Sequence, residues 1–292
     1  MLVTKGIRTT RGSLLYADNV PEEDAPVVER LKEAGAILLG KTNTPELGWK
    51  AAPITGSLDR RTIPGGSTGP RAARAAASFF GIFGLKPTYG LVPAYPPSAA
   101  EALAAAKRAT QRLVDLGAQV EEATPDVGNF AQPWQLLFYG GISGYIAAQP
   151  AGWEEKLDPG LAGLVRVAQR ATAIDLAQAH QAQARIYGVV RRFFETYDLL
   201  VSPSYAMPAW PVGLDSPIEL NGRTIGEDGA AELTMLFNLT GQPAATVPCG
   251  WTADGLPLGL QIVGRRHDDA LVLRAAAAYE AAAPWAGKRP AV

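Results

Sequence analysis

The chain has 292 residues, 47% of them hydrophobic and 19% charged, which suits one large domain or two small ones and excludes a disordered polymer. Its 27 basic and 28 acidic residues leave a formal net charge of −1, so neither nucleic acid nor an anionic membrane is an expected partner. The lone cysteine, Cys249, excludes an internal disulfide, and the longest apolar stretch, 75–85, is shorter than the ~20 residues a bilayer requires. With no apolar leader after Met1, a cytoplasmic location is the expectation.

In chain order, Val27, Val28, Leu31 and Ala34 recur at helical spacing behind Asp24, the expected N-cap, with Pro26 in the first turn. Gly35 ends that helix, and Ala36-Ile37-Leu38-Leu39 has the character of a buried strand. The plan repeats at Leu103, Ala106, Thr110 and Leu113, then Gly117, then a strand beginning Ala118-Gln119-Val120. A long helix is predicted over 174–197, running into a strand at Asp198-Leu199-Leu200-Val201 that stops at Pro203. A helix over 231–239 closes at Gly241. Two strands, Ala245-Thr246-Val247 and Leu258-Gly259-Leu260-Gln261-Ile262-Val263, flank a turn at Asp254-Gly255. Asp268 caps a last helix with Leu271, Ala275 and Ala278 on one face. Helix, glycine, short strand is the grammar of an α/β fold. The expectation is one α/β domain whose helices around Leu31, Leu113 and Leu271 pack on a sheet.

The stretch Pro64-Gly65-Gly66-Ser67-Thr68-Gly69 is the most informative for chemistry. Glycines around a serine permit backbone angles closed to other residues and let a ligand approach the main chain. A plain flexible loop has the same look, and the surrounding blocks decide between the two. Upstream lie Gly6-Ile7-Arg8-Thr9-Thr10-Arg11-Gly12-Ser13 and Gly40-Lys41-Thr42-Asn43-Thr44-Pro45-Glu46. Downstream lie Ala77-Ser78-Phe79-Phe80-Gly81-Ile82-Phe83-Gly84-Leu85-Lys86-Pro87-Thr88 and Asn238-Leu239-Thr240-Gly241-Gln242-Pro243-Ala244-Ala245-Thr246-Val247-Pro248. Gly255-Leu256-Pro257-Leu258-Gly259-Leu260-Gln261-Ile262-Val263-Gly264-Arg265 completes the order.

In this order the blocks resemble the amidase signature family along most of the chain. The resemblance implies a mixed, twisted β-sheet covered by helices on both faces, and hydrolysis of linear carbon–nitrogen bonds by a Ser–Ser–Lys triad. One serine attacks the amide carbonyl, a second serine in a cis peptide bond relays the proton, and a desolvated lysine is the base. Backbone N–H groups before the nucleophile form the oxyanion hole. By this resemblance Ser67 is the bridging serine, because Pro64-Gly65-Gly66 precedes it, and Gly66 and Thr68 are its substrate-binding neighbours. A fusion of two Gly-Gly-Ser loops would instead make Ser67 the nucleophile.

The family's second loop, of the type Gly-Thr-Asp-x-Gly-Gly-Ser, is not found before Ala77; Pro70-Arg71-Ala72-Ala73-Arg74-Ala75-Ala76 stands there, a stretch compatible also with an out-of-frame reading of GC-rich DNA. Counting back from Gly6 puts the family lysine just upstream of Met1, and Lys5 falls too late in the pattern. The expectation is therefore a single amidase-type domain over 1–292 with apparent deletions before Met1, near residues 70–76 and after Ser98. Its activity is expected to be impaired or absent; the alternatives are a non-catalytic relative that binds a small amide or a protein partner, and a misread gene product. Partners are a small amide and, through uncovered edges, a second copy.

Other chemistry-bearing residues have plainer readings. Cys249 at a strand end is a buried thiol, His180 sits within a helix, and His267 is a surface histidine. One cysteine and two histidines in no ligand spacing give no metal site, and no phosphate loop or dinucleotide fingerprint implies a cofactor. Trp134, Trp210 and Phe237 are core residues before they are an acyl pocket.

Overall fold

The computed structural model describes residues 2–41, 44–49, 83–86, 100–210, 216–217, 219–225 and 228–288. The chain gathers into two compact units, each built from two stretches: Met1–Ala72 with Phe138–Ala171, and Ala73–Leu137 with Thr172–Val292.

The second unit carries the sheet. Strands β1 (Gly84–Lys86), β2 (Leu199–Pro203), β5 (Ala244–Trp251) and β6 (Pro257–Gly264) lie in the order β1-β5-β6-β2. β3 (Glu219–Leu220) and β4 (Arg223–Thr224) form a separate two-stranded ribbon. Every pairing among the described residues is antiparallel. β5 and β6 are joined by the turn the sequence predicts, with Gly255 at φ +84°. β1 pairs with β5 in the register Leu85↔Ala245, so two blocks more than 150 residues apart in sequence become neighbours in the sheet.

Alternation divides the sheet faces. Val201, Ala245, Val247, Leu260 and Ile262 point to one face, where they meet α2 (Ala100–Asp115) and α7 (Asp269–Ala282) in the main core. α2 presents Ala102, Ala105, Ala106 and Ala109, with Leu113 packed against the same core; of the expected face Ala106 and Leu113 take part, whereas Leu103 is exposed. The cause is close approach: a Cβ placed on Gly250 of β5 would sit 3.1 Å from the Ala105 Cβ, so only small side chains fit between helix and strand. α7 is likewise rotated by one residue, burying Val272, Ala276 and Tyr279 where Leu271, Ala275 and Ala278 were expected. Its cap is as predicted, with Asp268 accepting from the Leu271 N–H at 3.3 Å.

The opposite face carries buried polar residues beside the apolar Leu200, Val263 and Ala244. Ser202, Gln261 and Thr246 are direct cross-strand neighbours, so they form one rung running from β2 through β6 to β5, and Gly84 of β1 continues it. α5 (Ala173–Thr196) matches the predicted long helix, and α6 (Glu232–Thr240) ends at Gly241, φ +85°, as its sequence requires.

The first unit holds α1 (Pro26–Glu33), α4 (Pro159–Ala168), the C-terminal part of α3 (Ala131–Ile146) and short 3₁₀ turns. α1 buries no residue, and Leu31 is exposed, so it does not have the core-facing role expected of it. Its N-cap is Ala25, not Asp24; Asp24 instead pairs with Lys32 at 2.6 Å and accepts from the Lys5 N–H at 2.8 Å, and both bonds hold its carboxyl below the usual range. The expected strands at 36–39 and 118–120 do not form; Ile37 and Leu39 are 85% and 96% exposed. An apolar run becomes a strand only where another strand offers its backbone groups, and neither run has such a neighbour among the described residues.

Candidate functional site

Ser67, Gly66 and Thr68 lie outside the described residues, as does Pro70-Arg71-Ala72-Ala73-Arg74-Ala75-Ala76. The site is therefore built from what flanks them, unit by unit.

In the first unit, Lys41 is the lysine with an altered environment. Burial lowers its pKa below the ordinary lysine value. Its Nζ donates to the Leu2 carbonyl at 3.0 Å, Thr4 Oγ1 at 3.3 Å and Thr9 Oγ1 at 2.5 Å. An ammonium has three N–H groups, and all three are used by neutral oxygens. Thr9 in turn donates to the Ile7 carbonyl at 2.9 Å. The arrangement ties the N-terminal segment to Gly40-Lys41. Lys5 is exposed. Glu46 is buried and accepts from the Asp158 N–H at 2.7 Å, pinning the block Thr44-Pro45-Glu46 to the start of α4.

In the second unit, the polar rung stands out against an apolar core. Gln261 Nε2 donates to Ser202 Oγ at 3.1 Å and to the Leu233 carbonyl of α6 at 2.9 Å. Ser204 Oγ and Thr246 Oγ1 are 3.0 Å apart. All four side chains are buried. Burying hydroxyls and an amide is favourable only when they satisfy one another, and these do. The Gln261–Ser202 bond ties β6 to β2, and the Ser204–Thr246 bond ties the residue after β2 to β5. Sequence reasoning missed the rung, although Thr246 and Gln261 inside otherwise apolar strands were the available signal.

A carboxyl pair lies at the head of α6. Burial first, and the charge of Asp228 second, push the Glu232 carboxyl up to about 7. Asp228 is buried and accepts from Gln135 Nε2 at 3.5 Å. A carboxyl that keeps its proton near neutral pH is capable of general acid or base chemistry where a substrate reaches it.

The remaining sequence candidates have structural places. Burial drives the Cys249 thiol up to about 12, which leaves it un-ionised and inert at neutral pH. His180 and His267 are exposed, and His180 Nδ1 lies 3.2 Å from Gln183 Oε1. Trp134 and Phe237 are core residues; the Trp210 ring lies 6.2 Å from that of Tyr205. Among the described residues, no helix is long and apolar enough to cross a membrane.

Comparisons with known proteins bear on the family and the fold. The family model described as Amidase matches residues 1–77 and 96–273. An acylamidase from Rhodococcus erythropolis is 30% identical over 383 residues, covering 98% of this chain and 80% of the relative. In fold, the chain is similar to 6-aminohexanoate cyclic dimer hydrolase (TM-score 0.80, 24% identity, 99% of this chain and 84% of the other). It is similar also to a bacterial aryl acylamidase (TM-score 0.81, 17% identity, 99% and 83%). The alignment to the acylamidase spans 383 residues, whereas the whole of this chain is 292, so the relative has residues inside the aligned region with no counterpart here. Shorter than these relatives but matched along nearly its whole length, the chain belongs to the amidase signature family, whose activity is hydrolysis of carbon–nitrogen bonds.

Proposed function

We propose that this chain is an amidase-type protein for linear acyl amides whose own hydrolytic activity is impaired. The observation that carries the proposal is interior: Pro70-Arg71-Ala72-Ala73-Arg74-Ala75-Ala76 stands where the resemblance calls for the Gly-Gly-Ser loop that bears nucleophile and oxyanion hole. Ser67 keeps the bridging place, with Gly66 and Thr68 beside it. Without the attacking serine a relay has no proton to carry, and triad groups act as a unit rather than additively. The shorter interior against the acylamidase supports the same reading. The proposal includes one amidase-type domain, a cytoplasmic location, and self-association through the uncovered apolar run 36–39.

A purified sample given a small aryl amide and a serine-reactive phosphonate tests this. The expected result is turnover at background and no phosphonate adduct at Ser67. Robust turnover that disappears in Ser67→Ala overturns it and makes Ser67 the nucleophile.

A further inference from the structure

Arg11 sits in a sharp turn of the first unit, and its surroundings are unusual for an arginine. Its φ is +54° and that of Gly12 is +70°, so two successive residues are left-handed. Gly12 must be glycine, because a Cβ there would lie 2.2 Å from the Thr44 carbonyl oxygen. Arg11 has no such allowance, and a long side chain in that conformation is strained. The turn is locked by the Leu47 N–H donating to the Arg11 carbonyl at 2.9 Å.

The strained backbone carries the guanidinium over two aromatic rings. Arg11 Cζ lies 5.0 Å from the Tyr16 ring centroid and 4.8 Å from that of Tyr145. The Tyr16 ring is itself held in place, whereas the Tyr145 ring lies at the surface. Tyr16 Oη donates to the Tyr145 carbonyl at 3.3 Å, and Gln149 Nε2 donates to Tyr16 Oη at 3.4 Å. Arg11 is only partly exposed, yet its guanidinium donates no hydrogen bond and makes no ion pair among the described residues. Ring contacts satisfy the charge through the π faces but none of the five N–H donors. A preorganised, partly desolvated guanidinium with its donors open is built to take a planar or tetrahedral anion. Tyr145 is 56% exposed, so an apolar surface adjoins those donors.

We propose that Arg11, with Tyr16 and Tyr145, is a binding site for a carboxylate carried on an apolar or aromatic group. The existence of the anion site stands on the geometry alone. The choice of carboxylate rests on the amide reading, since a carboxylic acid shares its acyl group with the amide that an impaired amidase-type protein would still bind.

The test is calorimetric titration of the full-length protein with benzoate, acetate and inorganic phosphate, which needs no catalytic activity. Benzoate is expected to bind more tightly than acetate and phosphate, with Arg11→Gln weakening it at least about tenfold and Arg11→Lys weakening it too, because an ammonium lacks the planar fork. Tyr145→Leu, at an exposed position, is expected to weaken it about threefold and carries the test if Arg11→Gln fails to fold. No benzoate binding to the wild type, or equal binding to the variants, overturns the site. Tighter binding of phosphate than of benzoate overturns the carboxylate assignment.

Discussion

Gln261 shows how one side chain can hold a sheet. Its amide reaches Ser202 on the adjacent strand and the Leu233 carbonyl on α6. Gln261→Leu keeps the volume and removes both bonds, leaving a buried hydroxyl and a buried carbonyl without that donor. The expected cost is about 1–3 kcal/mol, read as a lower midpoint in urea with an unchanged slope. Glu232 gives a pH dependence of definite sign. Folded, its carboxyl holds a proton to about 7; unfolded, it releases it near its ordinary value of 4.5. Between those values only the unfolded chain loses the proton, so this contribution is complete below about 4.5 and is lost as pH rises through about 7. Glu232→Gln is neutral throughout and removes that fall. Because Glu232 is partly exposed, the gain at pH 8 is discounted to about 1–2 kcal/mol, and none is expected at pH 4. Melting curves across this range check it; a variant that parallels the wild type at every pH contradicts the burial of the carboxyl.

At the scale of elements, α5 depends on its first turn. Thr172 Oγ1 accepts from the Asp175 N–H at 3.1 Å, while Asp175 Oδ2 accepts from the Thr172 N–H at 2.8 Å and its hydroxyl at 2.7 Å. These bonds hold the Asp175 carboxyl below its ordinary value, so the cap is present above the usual carboxylate range and lost as pH falls through the depressed value. Thr172→Ala is expected to cost about 1 kcal/mol at pH 7 and to flatten the acid dependence, measured as helicity against temperature. α5 was legible because a long helix is a local object, although its Thr172–Asp175 cap was not singled out in the sequence. The hairpin of β5 and β6 was legible for the same reason, with Gly255 marking its turn. The runs 36–39 and 118–120 were misread as strands because pairing is non-local, and nothing in their own residues says whether a partner is supplied. On α2, Ala106 and Leu113 face the core as expected, but Leu103 was misread because hydrophobicity favours it, while the close approach of β5 leaves room for alanine at Ala105. At the site, Ser67 stands out as a motif in the sequence and lies outside the described residues. The meeting of Arg11 with Tyr145 was not legible, because residues 134 apart in sequence share no pattern.

For the molecule as a whole, the uncovered run Ala36-Ile37-Leu38-Leu39 sets the expected behaviour in solution. Ile37 and Leu39 are almost fully exposed, and Leu38 is 47% exposed. Two copies that bring these runs together remove apolar surface from water and give unpaired backbone groups a partner. The formal net charge of −1 offers almost no repulsion against that approach. The wild-type chain is therefore expected to self-associate, with a mass above 30.8 kDa by light scattering that grows with concentration. The double variant Ile37→Lys with Leu39→Lys isolates the cause. It moves the formal net charge from −1 to +1, so the magnitude of the overall charge is unchanged and long-range repulsion is no stronger than before. A shift to monomer in that variant is then assignable to the apolar run itself. Neither residue packs in a core, so substituting them is expected to change the melting temperature little, within about 0.5 kcal/mol of stability. A wild type that stays monomeric on concentration, or a double variant that associates as strongly as the wild type, would remove the run 36–39 as the contact between copies.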